Sequence, residues 1–515
     1  EFDALGRTQR FFDSIKSQIP ELRREIQHID YIISHLSDKT WDDIAPSILQ
    51  VTRSIQPILA ALSNTSPDPA GPLPLGQLAE QASQLAIKAD NIANTLGNYK
   101  KDFEPRREKS GESRDKTVYH ENPVRNLRDN FWGLRNRLQE LEGFLKHADQ
   151  VANASLLILT GDAGTGKTHL LCDVAKKRLE EGRPTVLLMG QRFTSTDEPW
   201  TQALQQFDLR DLQAEEFIGA LEAAAQAAGC RALLIIDALN EGMGRHLWPN
   251  HLAAFLTRLE RSPWIGVVLS VRSSYEEVVI PEEIRKRAVR IIHVGFAEHE
   301  YDAVRTFFTH FGLELPSAPI LIPEFSNPLF LKMLCSGLQE KGKRRMPRGF
   351  HGITKLYELF LDAANSRLAR ELDFDPGDRL VHKALDKLSE TLAQQEQRFL
   401  PRENAKVLIN SLLPGRDFSR SLFRGLIVEG LLIEEMLEIN GQREDVVLIA
   451  YERLADHLIV KHLLDKYLDA EAPARAFQKG GPLGFLQDPS RHVPLGLLEA
   501  LCIQVSERTG KEILE

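Results

Sequence analysis

Gly161-Asp162-Ala163-Gly164-Thr165-Gly166-Lys167-Thr168 satisfies the spacing G-x-x-x-x-G-K-[ST], and the chemistry open to these residue types is the holding of phosphate. Glycines let successive backbone N–H groups turn inward on phosphate oxygens, and the N-terminus of a following helix adds partial positive charge. Lys167 then reaches the β and γ phosphates, the Thr168 hydroxyl serves a magnesium ion, and His169 follows directly. A glycine turn with a solvated lysine would show the same letters. The context separates the two, because an apolar strand (Leu156 to Thr160) precedes the loop and a helical pattern follows it.

Leu233 to Asp237 is a second apolar strand, and it ends in a carboxylate where a second magnesium-coordinating acid is needed. Read alone, Asp237 also fits a turn or helix cap. Glu241, four residues on, is placed to polarise an attacking water; Gly242 and Gly244 leave an exposed turn as the other reading. The strand Gly266 to Val271 delivers Arg272, which either touches a γ-phosphate or is a surface arginine.

These residues need elements to hold them. Short apolar runs at 156–159, 185–189, 232–236, 266–271 and 289–294 alternate with amphipathic stretches, which predicts βα units and a parallel sheet. Before them, Phe11, Ile15, Ile19, Leu22, Ile26, Ile29 and Ile33 recur at helical spacing, Ser63 to Gly76 breaks the pattern, and Gln77 to Tyr99 resumes it. Lys101 to Lys116 is dense in charge and almost without apolar residues, so it reads as a linker. Another helix follows Pro123, with Leu127, Phe131, Leu134 and Leu138 on one face. Beyond Phe296 helices dominate until a hairpin, 431–437 with 445–451, across Asn440-Gly441. The expected division is a helical N-terminal module (1–100), linker (101–122), α/β P-loop core (123–295), helical domain (296–375), a helix-and-hairpin domain (376–468) that the resemblance given below implies is a winged helix, and the start of a helical C-terminal region (469–515).

The chain has 515 residues, too many for one core. Sixty-four Lys and Arg against 73 Asp and Glu leave a net charge of -9, so no global attraction to phosphate backbones or anionic membranes exists. Cys172, Cys230, Cys335 and Cys502 are scattered, which offers neither a zinc spacing nor a disulfide framework and fits a cytoplasmic setting. No apolar run approaches the roughly 20 residues of a spanning helix. The first residues, Glu1-Phe2-Asp3, point to a fragment or trimmed product.

GDAGTGKT, LLIIDALNEG, the strand VVLSVR and Asn327-Pro328-Leu329 within FSNPLFLKMLC together resemble the STAND class of P-loop ATPases, the AAA+ relatives that include NACHT and NB-ARC proteins. The DALNE wording looks most like the prokaryotic antiviral Avs-type members. The resemblance implies an AAA+/STAND-type parallel sheet, ATP or ADP with Mg2+ as cofactors, Pro328 near the adenine, and a winged helix over residues 399–451 with Ser421 to Glu429 as one helix. It also implies a phosphate-sensing residue near His457 or Arg453. As partners it implies a homo-oligomer on activation, a tetramer or larger ring, and a protein ligand such as a viral protein that switches on an N-terminal effector. No repeat array is visible after Leu468, and residues 1–100 show no nuclease or hydrolase set, so no effector chemistry is assigned.

The leading expectation is a slowly hydrolysing ATP switch. The alternative is an AAA+ DNA-processing ATPase whose winged helix enters DNA. Against it, SLFRGLIVE carries one arginine and Ile433 to Glu438 is acidic, a surface that repels phosphates and makes DNA an unfavoured partner.

Overall fold

The computed structural model describes residues 1–34, 45–65, 71–97, 123–162, 164–315, 323–346, 351–395, 397–439, 442–469, 472, 474–478, 480–484 and 495–510. The expected linker and the Asn440-Gly441 turn lie outside these residues.

Five strands form one sheet: β1 (Leu156–Thr160), β2 (Thr185–Met189), β3 (Ala232–Asp237), β4 (Ile265–Ser270) and β5 (Val289–Ile292), in the order β2-β3-β4-β1-β5. β2 pairs with β3 and β3 with β4, both parallel. β1 and β4 also advance together, since Val267 N–H donates to Ser155 O at 2.8 Å and Val271 N–H to Leu159 O at 3.1 Å. β1, β3 and β4 are buried at every position, which is why they read as unbroken apolar runs rather than as alternation. The expected parallel α/β core is thus present, its strands within a few residues of those read from sequence.

The chain divides into two compact units. The first comprises 1–158, 171–270 and 279–291. It holds the helices Ile19–Ser34, Ala45–Asn64, Leu75–Gly97 and Pro123–Ala152; the last two pack against each other, and Leu85, Ala89, Leu127, Leu134 and Leu138 on them are buried. The last helix ends on buried arginines. Arg7 Nε and Arg231 Nη1 both donate to Ala152 O, at 2.9 and 3.1 Å, and Arg231 Nη1 also reaches Ala154 O at 2.8 Å. The final carbonyls of a helix lack intrahelical donors, and guanidinium groups supply them here. Leu5 lies against the small face left by Gly266 on β4, where an added Cβ would meet Leu5 Cγ at 3.1 Å.

The second unit comprises 159–170, 271–278 and 292–515. The helix Pro328–Glu340 packs on His351–Leu372, and Phe330, Phe360 and Tyr451 form an aromatic knot with centroids 4.9 to 5.4 Å apart. Leu380–Gln395 and Glu452–Tyr467 complete this core. A second sheet, β6-β8-β7, joins β6 (Leu400–Pro401) to a hairpin of β7 (Leu432–Ile439) and β8 (Gln442–Ile449). Helices Arg402–Asn410 and Leu422–Val428 sit between β6 and β7, the second capped by Ser421, whose hydroxyl accepts from Arg424 N at 3.2 Å. The hairpin was legible in sequence; the two-residue β6 was not. No helix among the described residues is long and apolar enough to cross a membrane, and all four cysteines are free.

Candidate nucleotide site

In the second unit, β1 ends at Thr160 and the chain enters the glycine loop. Gly161, Gly164 and Gly166 all take positive φ, +154, +77 and +94, a region side chains avoid, so the loop conformation itself demands glycine. Thr165 Oγ1 donates to Asp162 O at 2.9 Å, and Lys167 Nζ donates to Gly161 O and Asp162 O, both at 2.8 Å. Lys167 and Thr168 open the helix Lys167–Glu180, which puts the loop at a helix N-terminus. His169 is exposed on its first turn, and Ala163 lies outside the described residues.

Three side chains of the same unit close on this loop. A Cβ on Gly164 would meet Asn327 Nδ2 at 3.0 Å; one on Gly166 would meet Pro328 Cγ at 3.5 Å and His293 Nε2 at 3.8 Å. Asn327 does two jobs, since its Oδ1 also accepts from Leu329 N and Phe330 N at 3.0 and 3.1 Å and so caps the helix that Pro328 begins. His293 follows β5, and its backbone N–H donates to Thr160 O at 2.7 Å. Burial holds its imidazole below the usual histidine range, a hydrogen bond to the Thr165 backbone works the other way, and the nearby Lys167 charge lowers it further. Sequence reasoning singled out Pro328 but neither Asn327 nor His293 as a loop neighbour. Their signal was position alone: one precedes the proline, the other directly follows a strand.

Arg272 stands next to the loop's first glycine along the backbone ladder, because Ser273 N–H donates to Gly161 O at 3.3 Å. Arg453 and His457 are elsewhere in the unit. Arg453 pairs with Glu499 and lies 4.0 Å from Glu324 Oε2, while His457 is buried with its ring 5.3 Å from Tyr357. The side chains set against the loop glycines are therefore Asn327, Pro328 and His293 rather than these two.

In the first unit, Asp237 ends β3 and is 1% exposed. Ser270 Oγ donates to Asp237 Oδ1 at 2.5 Å and accepts from Ala238 N at 2.7 Å, fixing the carboxylate and the turn after it. Ala238 adopts φ +53, a strained value for a residue with a Cβ, and Glu241 N–H closes the turn on Ala238 O at 2.9 Å. Asn240 is buried and Glu241 half-buried, so the DALNE segment is a folded turn rather than a loose one. No group of three or more His, Cys, Asp or Glu gathers as a metal cage among the described residues.

Residues 150–277 match a family model described as an AAA domain. The AAA match spans β1 through the segment after Arg272 and so includes the phosphate loop, Asp237 and Glu241. Similar solved structures include the Aeropyrum pernix ORC1 protein in complex with DNA (14% identity, 61% of this chain and 87% of that chain, TM-score 0.28). Others are Cdc6p from Pyrobaculum aerophilum (12%, 64% and 94%, 0.28) and AMPPCP-bound DnaA from Aquifex aeolicus (13%, 47% and 63%, 0.24). No curated protein matches the sequence. The AAA match and the parallel sheet agree on a P-loop NTPase core; neither reaches the finer STAND or Avs type.

Proposed function

We propose that this chain is an ATP-controlled conformational switch with slow ATPase activity. The observation that carries it is the closure of Asn327, Pro328 and His293 on the phosphate loop, because the capped helix Pro328–Glu340 leads from there into the aromatic knot at Tyr451, next to the hairpin. A ligand that moves the loop therefore moves the start of a helix on which the rest of that unit packs. Lys167 and the loop amides bind the β and γ phosphates, Thr168 and Asp237 hold magnesium, Glu241 orients the water, and Arg272 answers the γ-phosphate. When bound, magnesium supplies charge neutralisation at the phosphates. His293 and Pro328 border the loop at Gly166 and shape the nucleotide's resting place.

Two outputs fit such a switch. In the first, a protein ligand and ATP drive homo-oligomerisation, and an antiviral role is supported by the motif resemblance alone. In the second, the segment from β6 to β8 is a winged helix and the chain processes DNA. The AAA match supports this second reading at least as well as the first. Size-exclusion mass with ADP, with ATP and magnesium, and with ATP after Lys167→Ala, each with and without duplex DNA, tests both. ATP-driven, Lys167-dependent assembly indifferent to DNA supports the signalling output. Assembly only on DNA supports the processing one, and ATP binding that survives Lys167→Ala removes the shared premise.

A further inference from the structure

Lys341-Gly342-Lys343-Arg344-Arg345 puts four cations and no acid into five residues of a chain whose net charge is -9. Cations gather at the end of a helix to serve its last carbonyls, and this run directly follows Pro328–Glu340. Here the backbone does that work. Lys341 N–H donates to Gly337 O at 3.3 Å, Gly342 N–H to Gln339 O at 2.9 Å and Lys343 N–H to Leu338 O at 2.9 Å, and Gly342 supplies a left-handed φ of +64. The charged side chains are left over for another task.

The turn that carries them is braced. Arg344 O accepts from Glu314 N at 2.7 Å, and Gln339 Nε2 donates to Phe311 O at 3.2 Å, so the chain leaving Glu300–His310 holds it from one side. Lys341 Nζ reaches Asp362 Oδ2 at 2.5 Å, and Arg345 pairs with Glu314. Asp362 is itself outnumbered, with Arg379 Nη2 3.6 Å from its Oδ1. Exposed ion pairs of this kind are worth about 0–1 kcal/mol each, so a denser anion displaces either carboxylate at little cost. Lys343 and Arg344 are exposed and form no ion pair among the described residues. Two open cations thus stand beside two loosely held ones on a fixed backbone.

We propose that the turn 341–345 is a nucleic-acid contact surface that holds the phosphate backbone of duplex DNA without reading its bases. Closely spaced cations suit a polymer with a phosphate at every step, and Arg344 and Arg345 can each take phosphate oxygens in pairs. The turn has no Asn or Gln to read base edges, no aromatic ring on which an unpaired base stacks, and no apolar side chain to enter a bilayer. The inference takes its class of partner from the second output above and moves the contact. The segment from β6 to β8 carries Glu434, Glu435 and Glu438 on its strand Leu432–Ile439, which disfavours phosphate, whereas the helical part of the same unit offers the free charge.

Fluorescence anisotropy of a labelled duplex of about 30 base pairs with the full chain, across about 0.05–0.3 M salt and without nucleotide, tests this. The chains compared are the wild type, Lys343→Glu with Arg344→Glu, Lys343→Gln with Arg344→Gln, and Arg420→Glu with Arg443→Glu in the segment from β6 to β8. Matched melting curves show that each is folded. Each phosphate contact contributes about 0.9 to the slope of log affinity against log salt, so the glutamine pair should lower that slope by about 2 and weaken binding at least roughly tenfold at low salt. The glutamate pair should weaken it further, and the Arg420 and Arg443 pair should stay within about twofold of the wild type. No binding by the wild type, an unchanged slope in the glutamine pair, or a larger loss from Arg420 and Arg443 overturns the proposal. So does equally tight binding to phosphatidylcholine vesicles with about 30% phosphatidylserine that the glutamine pair abolishes, since the surface would then serve a membrane. Because no nucleotide is present, each of these results leaves Lys167-dependent assembly to be judged by itself.

Discussion

Ser270 serves two atoms at once, Asp237 Oδ1 and the Ala238 amide, inside a turn whose backbone is already strained at Ala238. Removing its hydroxyl takes one hydrogen bond from the buried carboxylate and one from the amide. Ser270→Ala is expected to cost about 2 kcal/mol in urea unfolding and to lower ATPase turnover more than nucleotide affinity, since Asp237 loses its orientation. His457 makes a pH prediction. Burial, then the Lys461 and Arg508 charges, hold its pKa down to about 4, against an ordinary value near 6.5. The unfolded chain therefore binds the extra proton first on acidification, so the stabilisation from the neutral imidazole is complete above pH 6.5 and is lost as pH falls toward 4. The expected loss is about 2 kcal/mol, measured as urea midpoints at pH 7 and pH 4.5, and His457→Leu should flatten that slope. At this scale the sequence showed the loop, Asp237 and Glu241 because their types and spacing are local. Glu434 was visible only as one acid in an acidic strand, and nothing in its neighbours says that it pairs with Arg402, 32 residues away.

Among the elements, the strands were the most legible, because full burial writes them as apolar runs between turn residues. The helix Pro123–Ala152 was legible too, but not the way it ends: Arg7 is 145 residues from the carbonyl it satisfies, and no local pattern announces a bond of that span. Arg7→Met should keep the stem's packing while removing the donors to Ala152 O, Gly71 O and Asn153 Oδ1, at a cost of about 2–3 kcal/mol in chemical denaturation. At the other helix start, Asn327→Ala removes the cap of Pro328–Glu340 and the contact with Gly164 together. We expect about 1 kcal/mol less stability and a several-fold weaker ATP affinity, whereas Asn327→Asp should restore the cap but not the affinity, since it replaces a donor beside the loop with a negative charge.

For the whole molecule, unit membership separates the groups that the motifs bring together on paper: the phosphate loop and Arg272 belong to the C-terminal unit, Asp237 and Glu241 to the other. The chain passes between units several times, so neither is a continuous stretch, and boundaries read from composition alone do not reveal such interleaving. ATP with magnesium at a hundred times its Kd should stabilise the native chain by about 2.7 kcal/mol. The check is a rise in Tm that disappears in Lys167→Ala.

The double use of Asn327 makes two amides into reporters. Leu329 and Phe330 donate to the same carboxamide whose nitrogen approaches Gly164, so their exchange with deuterated solvent is tied to the state of the loop. Any nucleotide that steadies Asn327 should slow deuterium uptake at these two positions, well before a change in mass is seen. The peptide spanning 327–334 would then report the first response of the loop to nucleotide in a chain carrying no label.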